Sequence, residues 1–408
     1  MPATTSDPVP RGEYQISIFE LFAVYFRMGF TAFGPAMMAE TKKHIVKRKK
    51  WISEDEFLNG LALGQLIPGA TFVSLTVYIG YKLRGVAGAV ASFLGFLLPP
   101  FAIMVLLSYL YFEFGELPLL KTLLRGVVAI VVALVANAVI EVGKSGIKDY
   151  RGAIVALLSL GVMIVYPNIF AVLILAALCG LLLFSREASM QNGGQPARKQ
   201  LDLRQPPRGN HTKEALALGA AIAAIIYGTS LQPVLLKLGW TFFRMGALVF
   251  GNGFTMIPLI QQEVVTHNHW LTMDEFAIGL ALGQITPGPV LITATFVGYR
   301  VASIAGAATA TFGIFLPSLL LVMLTAEVHQ KIKHNRLVKA AIKGIVASFV
   351  GMMLVVVAGL ARHSLVDVPT AALAGLAFLA LQLTKLDVLW VVSGGALLYL
   401  LIVRMFSL

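Results

Sequence analysis

Cysteine is nearly absent. Cys179 is the only one in 408 residues, so no intramolecular disulfide and no thiolate metal site can be built from this chain. Charge is scarce as well: Lys, Arg, Asp and Glu together make 13% of the residues, against 58% apolar, and the mean hydropathy is +0.82. A soluble fold of this length has too little interior for that much apolar surface. Acidic residues are the rarer sign, 20 against 32 basic, for a net charge of +12. In an apolar chain, basic loops retained on the cytoplasmic side explain that surplus, so the expected partner is the lipid bilayer and not nucleic acid.

Other absences narrow the chemistry. There is no HExxH, GxSxG or Walker sequence and no Cys/His metal spacing, so neither catalysis nor ATP hydrolysis has visible machinery and no metal or cofactor is expected. Carboxylates inside the apolar segments are few. Glu20 is the only clear one and its counterpart is Lys237, which argues against a proton relay and against cation coordination. The short alternating segments of a β-barrel are missing. Residues 1–14 are polar and lack the apolar core and cleavage site of a secretory signal, so the first span is expected to be retained.

What the chain has in quantity is long apolar runs, near 16–38, 57–81, 86–112, 119–140, 152–166 and 168–184, then 214–231, then 238–260, 276–299, 303–326, 340–361, 370–384 and 387–403. They predict an all-α polytopic membrane protein of about thirteen membrane segments. Between them, Ser185–Lys213 is rich in Gly, Pro, Gln and Arg and reads as a linker.

The chain also repeats itself. WISEDEFLNGLALGQLIPG at 51–69 returns as WLTMDEFAIGLALGQITPG at 270–288, with 12 of 19 residues identical. Phe-Arg-Met-Gly at Phe26 returns at Phe243, and Phe33-Gly34 returns as Phe250-Gly251. Gly80-Tyr81, Gly88, Gly95, Leu98-Pro99 and Gly126 return as Gly298-Tyr299, Gly306, Gly313, Leu316-Pro317 and Gly344. The expected organisation is a repeat over 1–185, a cytoplasmic linker plus one extra transmembrane helix over 186–231, and a second repeat over 232–408.

Charge orients the two copies. Lys42, Lys43, Lys47, Arg48, Lys49 and Lys50 precede Trp51, whereas the matching loop before Trp270 has no Lys or Arg. Conversely, 113–118 is acidic while 327–335 carries Lys331 and Lys333 and is followed by Arg336. Basic residues thus mark opposite faces, which predicts inverted-topology repeats, with the N-terminus cytoplasmic and the C-terminus outside. Segments 16–38 and 57–81 both start and end on the basic side, so they are expected as re-entrant hairpins broken at Phe33-Gly34-Pro35 and Pro68-Gly69; the alternative is two ordinary spans with the basic loop outside.

Ser53-x-x-Glu56 and Thr272-x-x-Glu275 are capping boxes, so the neighbouring Asp-Glu pairs read as helix starts and not as catalytic carboxylates. Trp51 and Trp270 read as interfacial anchors. Breaking a helix inside the membrane leaves N–H groups that lipid cannot satisfy, and an anion is the natural occupant. The candidate substrate-binding residues are Gly34, Pro35, Ala36, Pro68, Gly69, Ala70 and Thr71 in one copy, and Gly251, Asn252, Gly253, Thr286, Pro287 and Gly288 in the other, with Gln65 and Gln284 as neutral donors. Arg27 and Arg244 lie inside apolar segments and either attract the anion or snorkel. The pairs Lys121/Arg125 and Lys339/Lys343 are candidate vestibule cations, one pair on each side.

Phe33-Gly34-Pro35, the Trp–Phe–LALGQ–Pro-Gly run and Gly80-Tyr81…Gly88…Leu98-Pro99, each with a counterpart in the second half, together resemble the chromate ion transporter family in its long two-domain form. The resemblance implies a secondary transporter exporting chromate across the inner membrane, with sulfate as a look-alike or exchange partner, and the thirteen-segment plan; an oligomer is compatible with it. Three departures touch the site: the family's FGGP has lost a glycine at Phe33-Gly34-Pro35 and reads FGNG at 250–253, its PGP is Pro68-Gly69-Ala70 in the first copy, and a family glutamate is His44 in the first copy and Glu263 in the second. The rival within the class is a permease for sulfate or another tetrahedral oxyanion. The rival from another class is a membrane enzyme acting on lipid phosphates, which would need Glu20, His44 and Glu263.

Overall fold

The computed structural model describes residues 16–31, 36–184, 211–230, 232–248, 253–325, 336–384 and 386–406, and it contains no strand among them. Seven helices come first: α1 (Ile18–Thr31), α2 (Ala36–Lys42), α3 (Glu54–Leu66), α4 (Thr71–Phe114), α5 (Pro118–Gly146), α6 (Tyr150–Val165) and α7 (Ile169–Phe184). Then α8 (His211–Ser230) stands alone. Seven more among the described residues repeat the set: α9 (Pro233–Gly246), α10 (Ile257–Gln261), α11 (Met273–Ile285), α12 (Thr293–Thr325), α13 (Arg336–Ser364), α14 (Val368–Leu383) and α15 (Val388–Phe406). Matched helices agree in length, 13 residues for α3 and α11, 29 for α5 and α13, and 16 for α6 and α14. The π-helical turns Lys43–Arg48 and Gln262–His267 recur as well. Of the linker, 185–210 lies outside the described residues.

Both expected capping boxes are present: Ser53 and Thr272 accept from the N–H of Glu56 and Glu275, whose carboxylates return the bond to the cap N–H groups. They start α3 and α11 as short helices of about 20 Å. Each ends at its Pro-Gly, where Gly69 (φ +137°) and Gly288 (φ +108°) take a conformation that L side chains rarely adopt. The chain then doubles back. A Cβ on Gly60 would press on Tyr78 and one on Gly64 would lie 2.7 Å from Thr71 O; Gly279 and Gly283 meet Phe296 and Thr293 in the same way. So α3 and the start of α4 form an antiparallel helical hairpin, as do α11 and the start of α12.

A second reversal follows within α4 at Arg84-Gly85 and within α12 at Ala302-Ser303, where Gly85 (φ +62°) and Ser303 (φ +53°) interrupt the helix. Gly80 and Gly88 touch backbone to backbone across the first reversal, and Gly298 and Gly306 across the second. After it the remainder of α4 runs about 29 residues, or ~44 Å, enough to cross a bilayer. Among the described residues five helices are long and apolar enough to span: 71–114, 118–146, 290–325, 337–364 and 388–405; α6, α7 and α14 are apolar but shorter. The chain is a multi-pass, all-α membrane protein. Phe19, Val165, Leu182 and Leu383 are each at least 78% exposed.

The two copies interlock. In α7, Gly180 lies against Gly344 of α13, and in α6 Ala156 O meets Gly351 of α13, whereas Gly126 and Ile130 of α5 meet Tyr399 and Gly395 of α15. The last two helices of each copy thus pack on the long fifth helix of the other. The repeated arginine-bearing segment has a packing role too: Gly29 and Gly246 let α1 and α9 approach the backbone of α4 and α12 at Phe96 and Ile314.

Candidate functional site

The hairpin tips exchange contacts between the copies. Ala70 N–H donates to Ser318 Oγ at 3.0 Å, and Gly69 sits on the same serine. In the other direction Gly288 sits on Pro100, where a Cβ added to the glycine would lie 3.0 Å from Pro100 Cβ. Ser318 and Pro100 are equivalent positions, each following the repeated Leu-Pro of a long helix. Each tip is therefore seated on the other copy's α12 or α4.

Both tips open on one cavity of about 770 Å³. Seven of the expected substrate-binding residues line it: Gln65, Ala70 and Thr71 from the first copy, with Gly253, Gln284, Thr286 and Gly288 from the second. Thr286 spends its hydroxyl on Leu282 O at 2.6 Å, so it shapes the wall and does not reach into the space. Pro68, Gly69 and Pro287 build the tips without lining the cavity. Ala36 opens α2, and its neighbours Met37 and Met38 reach the lining. Gly34, Pro35, Gly251 and Asn252 lie outside the described residues.

The expected cations are elsewhere. Arg27 is exposed, and Arg244 faces Glu263 at 3.8 Å and lies over the Phe170 ring; neither lines the cavity. Lys121 and Arg125 do line a second cavity of about 1120 Å³ at the opposite end of α5, together with Arg300 and His363. That vestibule is mixed in sign, since Lys121 pairs with Glu116 at 3.0 Å and Arg300 with Glu275 at 3.1 Å. Lys343 packs over the Phe184 ring, and neither it nor Lys339 lines either cavity. Between the cavities, Val131, Leu134, Val135, Phe254, Ile257 and Leu280 surround a void of only about 10 Å³ with Gln284. This apolar layer separates the two spaces by about six residues of α5, or ~9 Å.

The sequence reading missed two carboxylates. Glu141 and Asp387 line the tip cavity, and Asn137 Nδ2 donates to Glu141 Oε1 at 3.5 Å. The signal was there: Asn137 and Glu141, four apart in an apolar helix, share one face. Glu20, taken as the one clear carboxylate of the apolar core, instead pairs at the surface with Lys49 at 2.8 Å. No Lys, Arg or His lines the tip cavity among the described residues; its polar lining is neutral apart from the two acids. Glu20, His44 and Glu263 line neither cavity, so the set required by the lipid-phosphate enzyme is not assembled there.

Comparison with known proteins decides the family. The chromate transporter family matches residues 19–182 and again 236–400. The chain belongs to the chromate transporter family. It is 31% identical over 386 residues to a chromate transport protein of Cupriavidus metallidurans, covering 93% of this chain and 92% of that one. A chromate transport protein of Pseudomonas aeruginosa is 29% identical over 419 aligned positions, covering 97% and 94%. An uncharacterized transporter of Methanocaldococcus jannaschii is 31% identical over 349 residues, 83% of each chain. No solved structure matches. The family boundaries leave α8 outside both matched stretches.

Proposed function

We propose that the chain is a secondary transporter that moves chromate outward across the cytoplasmic membrane, conferring chromate resistance, by alternating access. The anion is held between the two hairpin tips. The observation that carries this reading is the convergence of both tips on one cavity. Gln65, Gln284 and Asn137 bring neutral amides to the cavity from several sides, as a tetrahedral oxyanion requires.

Two further features support the mechanism. The tips exchange seats on equivalent residues of the other copy, as a two-fold relation between the repeats demands. The charge signs put the copies in opposite orientations, so the repeats 1–185 and 232–408 are read as inverted, with α8 of the 186–231 stretch turning the second one over. In that frame the N-terminus is cytoplasmic, the C-terminus outside, and the tip cavity opens to the cytoplasm. The 1120 Å³ vestibule with Lys121 and Arg125 then opens outside, and the apolar layer is the closed gate between them.

The test is radiolabelled chromate flux in everted vesicles, with sulfate and molybdate as competitors. The reading expects saturable, protein-dependent chromate accumulation in everted vesicles. Saturable sulfate flux that ignores chromate assigns the site to sulfate, and no saturable flux of either anion overturns the transport reading. Lys49→Cys in a Cys179→Ser background is expected to resist labelling from outside; rapid labelling there overturns the hairpin topology.

A further inference from the structure

Two groups in the 1120 Å³ vestibule are left over after its pairings are made. Of the Lys and Arg side chains lining it, Lys121 is met by Glu116 and Arg300 by Glu275. No carboxylate among the described residues comes within ion-pair distance of Arg125. The acid whose charge Arg125 does feel, Asp367, is committed to its own helix. Its Oδ1 accepts from the Thr370 N–H at 2.8 Å and from the Thr370 hydroxyl at 2.7 Å, capping α14. Three residues before Asp367, Ser364 lines the same cavity. It is 6% exposed, and its Oγ has no hydrogen-bond partner among the described residues. A buried hydroxyl is seldom left so, because it has given up water without a replacement.

A guanidinium without a carboxylate and a hydroxyl without an acceptor call for the same ligand, one that carries negative charge on several oxygens. The guanidinium fork meets two such oxygens side by side, and the hydroxyl donates to a third. His363 precedes Ser364 in the same lining, while the acids contributed by α11 are Glu275, held by Arg300, and Asp274 in the first turn. The pair is built once. In the copy aligned through Gly126 and Gly344, Lys343 stands for Arg125 and Gly146 for Ser364. Lys343 packs over the Phe184 ring and lines neither cavity, and a glycine has no hydroxyl to give.

We propose that Arg125 and Ser364 form a second oxyanion site, in the outer vestibule, which receives the anion once it has passed the apolar layer and holds it before release outside. This rests on the transport reading and adds a station to it. The ligand is of the class that the tip cavity takes, a tetrahedral inorganic oxyanion. Arg125 supplies the charge and the paired N–H donors, and Ser364 a single O–H donor. Arg125 stands twelve residues before Asn137 on α5, ~18 Å along the helix, with the apolar layer between them. Both sites can therefore be filled together while that layer is closed.

The experiment is equilibrium binding of radiolabelled sulfate, and separately of chromate, to the purified full chain in nanodiscs, which leave both faces open. Wild type is expected to take up two anions per chain. Arg125→Gln is expected to weaken one of them by at least about tenfold and to spare the other, and Gln65→Ala combined with Gln284→Ala to do the converse. Ser364→Ala is expected to weaken the same anion as Arg125→Gln, by about fivefold. The melting temperature of anion-free Ser364→Ala is expected to equal or exceed that of wild type, because the hydroxyl it removes is unmet; this variant carries the test if Arg125→Gln does not fold. One or two anions per chain, with no affinity changed by Arg125→Gln or by Ser364→Ala, overturns the inference and leaves the transport reading intact. A single anion that Arg125→Gln weakens and the glutamine pair does not supports the outer site and overturns the tip site. No saturable binding of either anion by wild type overturns both.

Discussion

The two hairpin tips are the same device built twice, and they differ at one hydrogen bond. In the first, Ala70 supplies an N–H and Ser318 a hydroxyl oxygen that accepts it. In the second, the place of Ala70 is Pro289 and the place of Ser318 is Pro100. Donor and acceptor have both gone, so no buried N–H is stranded. A buried donor without a partner costs about 1–3 kcal/mol, whereas removing both partners is close to neutral. The lesson is that the tip's position, and not this particular bond, is what the two copies hold in common. The first tip is tied to the opposite long helix; the second only rests on it.

That comparison can be broken most severely at the reversal shared by both copies. Gly80→Ala and Gly298→Ala place a Cβ against the backbone of Gly88 and Gly306, and each is expected to cost about 1–3 kcal/mol or more. Yield of monodisperse protein in detergent is the readout, with Gly161→Ala, which meets open space, as the unaffected control. Next, Pro289→Ala exposes a new N–H at the second tip facing Pro100. It is expected to lower thermal stability, and Pro100→Ser added to it to recover about 1 kcal/mol, a coupling that a double-mutant cycle measures. Equal losses in single and double variants would show that the tips are not equivalent.

Smaller effects separate the copies further. Ser53→Ala and Thr272→Ala remove matched capping boxes, and each is expected to cost about 1 kcal/mol. Weakest are the former family glutamate positions. Glu263 faces Arg244 at 3.8 Å with the arginine 38% exposed, so Glu263→Gln is expected to cost under about 1 kcal/mol. Its counterpart His44 sits among Arg48, Lys49 and Arg27, and burial first, then these cations, hold its pKa below the ordinary histidine value, with Glu40 opposing. A histidine whose folded pKa is depressed contributes stability above its unfolded pKa that is lost as pH falls. Thermal stability is therefore expected to drop below about pH 6.5, and His44→Gln to blunt that drop.

Much of this was legible in the residues. The duplication, the capping boxes and the break at Pro-Gly follow from local chemistry, and α3, α11 and the tips stand where those signals put them. Gln65 and Gln284 reach the cavity because the repeat places them one turn before the Pro-Gly. What was not legible depends on contacts between the copies. Nothing local to Leu98-Pro99-Pro100 says that the other tip will sit there, because that contact joins positions nearly 190 apart in sequence. Arg27 and Arg244 stand off the cavity for a related reason. Charge inside an apolar segment marks a site only when the helix face it occupies looks into a cavity, and here the lining faces belong to α5 and the tips. Glu141 was passed over because it stands at the edge of its apolar run, where a carboxylate usually meets solvent.

The central claim is that matched residues of the two copies bind one anion in one cavity. The most direct test is the chromate concentration dependence of flux for Gln65→Ala, Gln284→Ala and the pair combined. Each single change removes one neutral donor from the same space and is expected to raise KM about fivefold, for about 1 kcal/mol of hydrogen bonding. A rise for one glutamine with no change in either KM or kcat for the other would contradict a site shared by both tips.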